Sequence, residues 1–166
     1  MGKRYMLPNL PQSMETDRIG VALTLVTVLL FGTLFGLSSA SAQGGGTGFI
    51  EVMDTQVNPA TGNTYHLLSS GSWSASQSVA EDMGGNLVTV NDPAENDWLL
   101  EKFSADGIHL WIGLSLVNDN WQWANGEESY WSGWGLDQPS DDDDEKFAHI
   151  IGTEVGSFDV GEWNNI

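Results

Sequence analysis

Residues 110–126 read Leu110-Trp111-Ile112-Gly113-Leu114-Ser115-Leu116-Val117-Asn118-Asp119-Asn120-Trp121-Gln122-Trp123-Ala124-Asn125-Gly126. Two short runs of strand-forming residues, Leu110–Leu114 and Trp121–Ala124, flank the polar turn Val117-Asn118-Asp119-Asn120, and this predicts a pair of strands. The hairpin opens an aromatic half of the chain. Six of the eight tryptophans, at 111, 121, 123, 131, 134 and 163, fall in short runs broken by Gly, Asn and Asp. Ala148–Ile151 is a further strand, and the half as a whole reads as loop-rich β structure.

Upstream the period changes. Ser74 followed by Gln77 forms a capping-box pattern, Ala75, Val79 and Met83 repeat at four-residue spacing, and Gly84-Gly85 stops the element. A second helix starts with Asp92 as N-cap, Pro93 at the first helical position and Glu95 at the third, with Leu99 and Phe103 on one face and Gly107 beyond its end. Thr64–Leu68 and Leu87–Val90 are predicted strands. Two early helices followed by short strands give an α+β fold, with helices packed on small antiparallel sheets and long loops beyond them.

Composition narrows the partners. Twenty-three Asp and Glu against five Lys and Arg give a net charge of -18, which repels polyanions and disfavours nucleic acid. Cysteine is absent, so neither disulfides nor thiolate metal sites contribute. His66, His109 and His149 have no metal-ligand spacing, and no nucleophile pattern accompanies them.

Near the N-terminus Lys3, Arg4 and Arg18 precede an uncharged run over 19–37 and the small residues Ser38–Ala42. This order predicts a signal peptide or signal anchor over 1–42, with cleavage expected before Gln43. The run is also long enough to span a bilayer uncleaved, which leaves secretion and membrane anchoring open. Cleavage would remove two of the 23 acids and three of the five cations, leaving Lys102 and Lys146. Residues 43–58 are Gly-rich at first and read as a flexible linker, so the folded domain is expected over 59–166.

Several motifs then fall in a telling order: Gly84-Gly85-Asn86-Leu87-Val88, Trp111-Ile112-Gly113-Leu114, Trp121-x-Trp123-x-Asn125-Gly126, Tyr130-x-x-x-Trp134, Gln138-Pro139-Ser140 and Trp163-Asn164-Asn165. Together they resemble the C-type-lectin-like domain, in a cysteine-free form expected to be of bacterial or archaeal type, over about 58–166. Ala80 and Phe147 stand where that family usually has cysteines. The resemblance implies one more strand after residue 165 to pair with Thr64–Leu68. The domain is therefore expected to be truncated, with that strand missing and an exposed edge on Thr64–Leu68.

Sugar-binding members of the family hold calcium with side chains flanking a proline, an acid in the next loop and a Trp-Asn-Asp segment. Carried over, the implied metal ligands are Gln138, Ser140, Glu145, Asn164 and Asn165. Gln138, Ser140, Glu145, Asn164 and Trp131 become the implied sugar contacts. Ser140 and Asn165 replace side chains that are larger or charged, so weak calcium affinity is expected, with Asp141 and Asp144 as possible extra ligands. The loop after Leu114 carries Asp119 alone, too little for a second calcium site. Trp111, Trp123 and Trp163 are expected in the core.

The implied function is an extracellular carbohydrate-binding module, calcium-dependent and not an enzyme. A calcium-independent adhesion module binding a surface protein is the alternative. A carboxylate-based glycosidase ranks below both, because no acid pair has the required spacing. The membrane is a partner only if the N-terminal segment stays uncleaved.

Overall fold

The computed structural model describes residues 19–26, 49–142 and 144–166, the first of these as backbone alone. The strands are β1 (Ile19–Val26), β2 (Val52–Val57), β3 (Thr64–Leu68), β4 (Asn86–Leu87), β5 (His109–Val117), β6 (Asn120–Trp123), β7 (Phe147–Ile150) and β8 (Trp163–Asn165). Two helices, α1 (Trp73–Asp82) and α2 (Pro93–Phe103), lie between β3 and β5. The chain is thus α+β, two helices packed on short, largely antiparallel strands.

The principal strand order is β2-β3-β1-β5-β7-β8, with β4 on β1 and β6 on β5. Strand β1 runs parallel to β5, while the other pairings are antiparallel. The β5–β6 hairpin turns through Asn118 and Asp119, both with positive φ (49° and 62°). Asn and Asp tolerate that conformation better than other non-glycine residues, which is why this polar pair turns the chain.

Two expectations need correction. Thr64–Leu68 is not an exposed edge: β2 pairs along one side of it and β1 along the other. Val52–Val57 is not linker but strand β2, whose β-branched residues suit a pleat once β3 supplies hydrogen bonds. Of the N-terminal segment read as signal or anchor, Ile19–Val26 is strand β1, and its remainder lies outside the described residues. No helix among the described residues is long and apolar enough to cross a membrane.

Helix α2 begins as its sequence dictates, with Asp92 accepting from the Glu95 N–H at 2.8 Å and Glu95 accepting from the Asn91 N–H at 2.9 Å. Glu95 also accepts from the buried Tyr65 hydroxyl at 2.7 Å, tying the helix to β3. Burial and this carboxylate push the Tyr65 phenol well above its ordinary value.

Helix α1 departs from expectation by two residues: Ser72 is its N-cap, and Gln77 takes no part in capping. Gln77 instead turns inward, accepting from the Leu87 N–H at 2.9 Å and donating to Asn86 and Glu81 at 2.8 Å each. The buried face is Ser76, Gln77 and Ala80 rather than the Ala75-Val79-Met83 row. Small residues let the helix approach closely, and a buried amide is tolerable when its hydrogen bonds are made.

The main core gathers Tyr65, Val88, Val90, Leu99, Phe103, Leu110, Ile112, Trp123, Ile150 and Trp163. Each fully buried aliphatic side chain there contributes about 1.5–3 kcal/mol from leaving water. A second cluster of Leu68, Leu87 and Trp111 lies beneath Trp73, which stacks on Phe147 at 4.8 Å.

Trp163 anchors the loop side. Its ring is fully buried, and Nε1 donates to Asn96 of α2 at 2.9 Å. Trp123, Trp131 and Trp134 surround it edge-to-face, with centroids 5.7, 5.0 and 5.9 Å away. Its backbone is bonded to the 133–135 segment, N–H to the Gly133 carbonyl at 2.7 Å and carbonyl from the Gly135 N–H at 3.0 Å. A Cβ on Gly133 would lie 2.8 Å from the indole nitrogen, so only glycine lets the loop cross the ring this closely.

Candidate functional site

The loop leaving Trp134 and the terminal strand β8 meet at Ser140. Gln138 and Ser140 flank Pro139 across a cis Gln138–Pro139 bond. The Ser140 N–H donates to Gln138 Oε1 at 3.0 Å and to Asn165 Oδ1 at 2.8 Å. The Ser140 hydroxyl donates to the Glu145 carboxylate. Asn165 Nδ2 closes the ring of contacts, donating to Ser140 Oγ and to the Glu145 carbonyl, both at 3.1 Å.

Four of the five implied ligands, Gln138, Ser140, Glu145 and Asn165, are therefore brought into one hydrogen-bonded cluster. Asn165 is fully buried and the other three are half-buried. Asn164 is buried on β8 opposite His149.

The implied extra ligands adjoin the cluster in the chain, Asp141 after Ser140 and Asp144 before Glu145. Asp141 and Asp144 are exposed, and Asp144 lines a groove with Trp73, Trp111, Phe147 and Ile166. Asp142 serves the loop itself, accepting from the Asp144 N–H at 3.1 Å. Among the described residues no three His, Cys, Asp or Glu side chains come together as a metal group.

Tested against calcium, the donor set fits in kind, because every candidate atom is an oxygen suited to a hard cation. Its charge is low, with Glu145 the one carboxylate. Both amide oxygens already accept from Ser140, although each keeps a second lone pair.

Trp131, the implied sugar contact, belongs to a different feature. With Trp121, Trp134, Tyr130, Glu127 and Glu128 it lines an open cleft of about 540 Å³ whose walls include none of the Ser140 cluster. Trp121 and Trp134 meet there at 4.9 Å and 63°. Sequence reasoning missed the cleft as a unit, although the Glu127-Glu128-x-Tyr130-Trp131 run, acids beside aromatics in a loop, was its visible signal.

The histidines also pair in a way their spacing concealed. His109 and His149 sit on neighbouring strands with ring centroids 5.4 Å apart. Burial, with His109 beside it, pulls the His149 imidazole down to about 3. Both rings are buried, and the His149 Nδ1 has no hydrogen-bond partner among the described residues.

The architecture is that of an α+β module with a polar hydrogen-bonded cluster in its loop region. The chain belongs to the Lectin C-type domain family, which matches residues 69–166, more than half of its length. The human secretory phospholipase A2 receptor is 32% identical over 72 residues, 42% of this chain and 5% of the receptor. A perlucin-like protein of Mytilus galloprovincialis is 29% identical over 100 residues, 57% of this chain and 61% of that protein. The chain thus spans about a twentieth of the receptor it matches.

Among solved structures, the mouse scavenger receptor C-type lectin carbohydrate-recognition domain superposes with a TM-score of 0.46 at 24% identity, covering 56% of this chain and 68% of that one. Human lithostathine gives 0.47 at 23% identity, covering 57% and 73%. These relatives are animal proteins, which corrects the expected bacterial or archaeal type.

Proposed function

We propose that this chain is an extracellular carbohydrate-binding module whose sugar site is the cluster around Ser140, with calcium as a weakly held cofactor. The observation that carries this reading is the convergence of Gln138, Ser140, Glu145 and Asn165 from two separated segments onto one point. Core packing does not require a carboxylate, two amides and a hydroxyl to meet at a half-exposed loop.

Gln138, Ser140, Glu145, Asn164 and Asn165 would hold the ion, which, when bound, would coordinate neighbouring sugar hydroxyls. The side chains supply the rest of the recognition. Glu145 accepts hydrogen bonds from sugar hydroxyls, and the Gln138 amide donates to their lone pairs. With one formal charge among the donors, calcium binding falls in the millimolar range of extracellular modules.

One observation favours a second reading, calcium-independent adhesion to a glycoconjugate or surface protein. Asn165 already bridges Ser140 and Glu145, so the loop is knit by hydrogen bonds where charged ligands would require an ion. The export-like order of Lys3, Arg4, Arg18 and the apolar run supports a secreted or membrane-anchored location.

The test is glycan binding by the purified protein with millimolar calcium and with chelator, alongside thermal melting under both conditions. The first reading expects glycan binding and a raised melting temperature with calcium alone. Binding equal in both conditions establishes the second. Loss of all glycan binding, with Glu145→Gln indistinguishable from the parent, rejects the Ser140 cluster as a site.

A further inference from the structure

We infer that the tryptophan cleft beside the hairpin is a second binding site, for an organic cation of the quaternary ammonium class. Its walls are Trp121, Trp131 and Trp134, and Glu127, Glu128 and Tyr130 stand at its rim. At about 540 Å³ it has ample room for such a headgroup and part of the molecule carrying it.

Three observations point to a cation. First, the lining contains no Lys or Arg, and its two adjacent carboxylates are exposed. The one ion pair among the described residues is Lys102 with Glu101, so neither cleft carboxylate has a salt-bridge partner. Second, indole faces attract cations more strongly than other aromatic side chains, and three indoles share this wall. Third, Tyr130 is 98% exposed and contributes nothing to the core, while its two sequence neighbours, Ser129 and Trp131, are anchored. Ser129 donates to the Val90 carbonyl at 3.3 Å, and Trp131 packs on Trp163.

The wall is preformed. Trp131 and Trp134 both lean on the buried Trp163 ring, which is itself fixed by Asn96, so little side-chain entropy is lost when a ligand enters. A neutral sugar could stack on the same rings, but it would gain no Coulomb attraction from the unpaired carboxylates. A cation gains from both features at once.

The experiment titrates choline into the full chain, following tryptophan fluorescence, beside its neutral tert-butyl isostere and a neutral monosaccharide, all in chelator. Choline is expected to give a saturable change that weakens with added salt, because exposed carboxylates are screened. The isostere should bind at least about threefold more weakly. Tyr130→Ala should cost about two- to fivefold in choline affinity, and E127Q/E128Q should remove most of the salt dependence. All three positions are surface ones, and unchanged melting temperatures would show the variants folded. Glu145→Gln should leave choline binding intact, which separates this site from the Ser140 cluster. The proposal is overturned if choline gives no change up to about 50 mM, a concentration that would saturate a millimolar site. It is equally overturned if the isostere matches choline, or if the monosaccharide alone binds.

Discussion

Asn165 holds Ser140 with both ends of its amide: Oδ1 accepts the Ser140 N–H at 2.8 Å, and Nδ2 donates to the Ser140 hydroxyl at 3.1 Å. A neutral residue can do this; a carboxylate cannot donate at all. Asn165→Asp therefore removes the contacts made by Nδ2 to Ser140 and to the Glu145 carbonyl and sets a second negative charge beside Glu145. In chelator this variant should melt below the parent. Calcium should reverse the loss, with a dissociation constant about tenfold lower than the parent's. Calorimetric titration checks the affinity, and a variant that calcium cannot rescue refutes the ligand reading.

The Tyr65–Glu95 contact yields a stability test. Glu95→Ala leaves the buried Tyr65 O–H without its acceptor and removes the reciprocal helix cap, so it should cost about 2–4 kcal/mol. Tyr65→Phe alone should cost about 1 kcal/mol. The double variant should recover part of the Glu95→Ala loss, because no orphaned hydroxyl remains. Urea unfolding of the four proteins reads the interaction directly.

Acid should act through His149. Its folded value, about 3, lies below the ordinary imidazole value of about 6.5, so the unfolded chain binds a proton that the folded chain refuses. Stability is then undiminished above about 6.5 and falls as the pH drops through that value towards 3. Melting at pH 7 and pH 5 should show the decline before most carboxylates titrate. His149→Gln should flatten it, and an unchanged slope in that variant would assign the effect to other groups.

Gly113 tests how closely β5 approaches β4. A Cβ at this position would sit 2.5 Å from the Leu87 carbonyl oxygen, and backbone cannot yield as a side-chain tip can. Gly113→Ala should cost about 1–3 kcal/mol, the usual range for overpacking. Gly126→Ala meets no such atom but sits at a φ of 75°, so its smaller loss should come from backbone conformation alone.

Strand β1 and the proposed export segment use the same residues, and the two fates exclude one another. Mass spectrometry of the secreted protein would decide between them. A chain beginning at Gln43 lacks the strand that joins β3 to β5, and a recombinant 43–166 fragment should accordingly melt below the full chain.

Legibility in the sequence followed the range of the interactions. Asp92, Pro93 and Glu95 mark α2 because a helix cap is settled within four residues, and the Asn118-Asp119 turn is equally local. Helix α1 starts two residues before its sequence pattern predicts because Ser72 and Ser74 offer equivalent hydroxyls, and only the tertiary contacts of Gln77 choose between them. Strand β2 was hidden because its pairing partner, not its own composition, makes it a strand. The polar cluster was named residue by residue through family resemblance, yet its internal closure by Asn165 depends on atoms 25 residues apart in the chain. The cleft shows only its Glu127–Trp131 run in the sequence for a related reason, since Trp121 and Trp134 meet only after the hairpin and the loop have folded.

The placement of Trp163 gives the loop region a single mechanical dependence. One indole props the cleft wall, while the peptide that carries it leads directly into Asn164 and Asn165. Damage to that ring would disable both proposed sites together, however different their chemistries. A loss of function after altering Trp163 can therefore identify neither ligand, whereas the outward-facing positions can tell them apart.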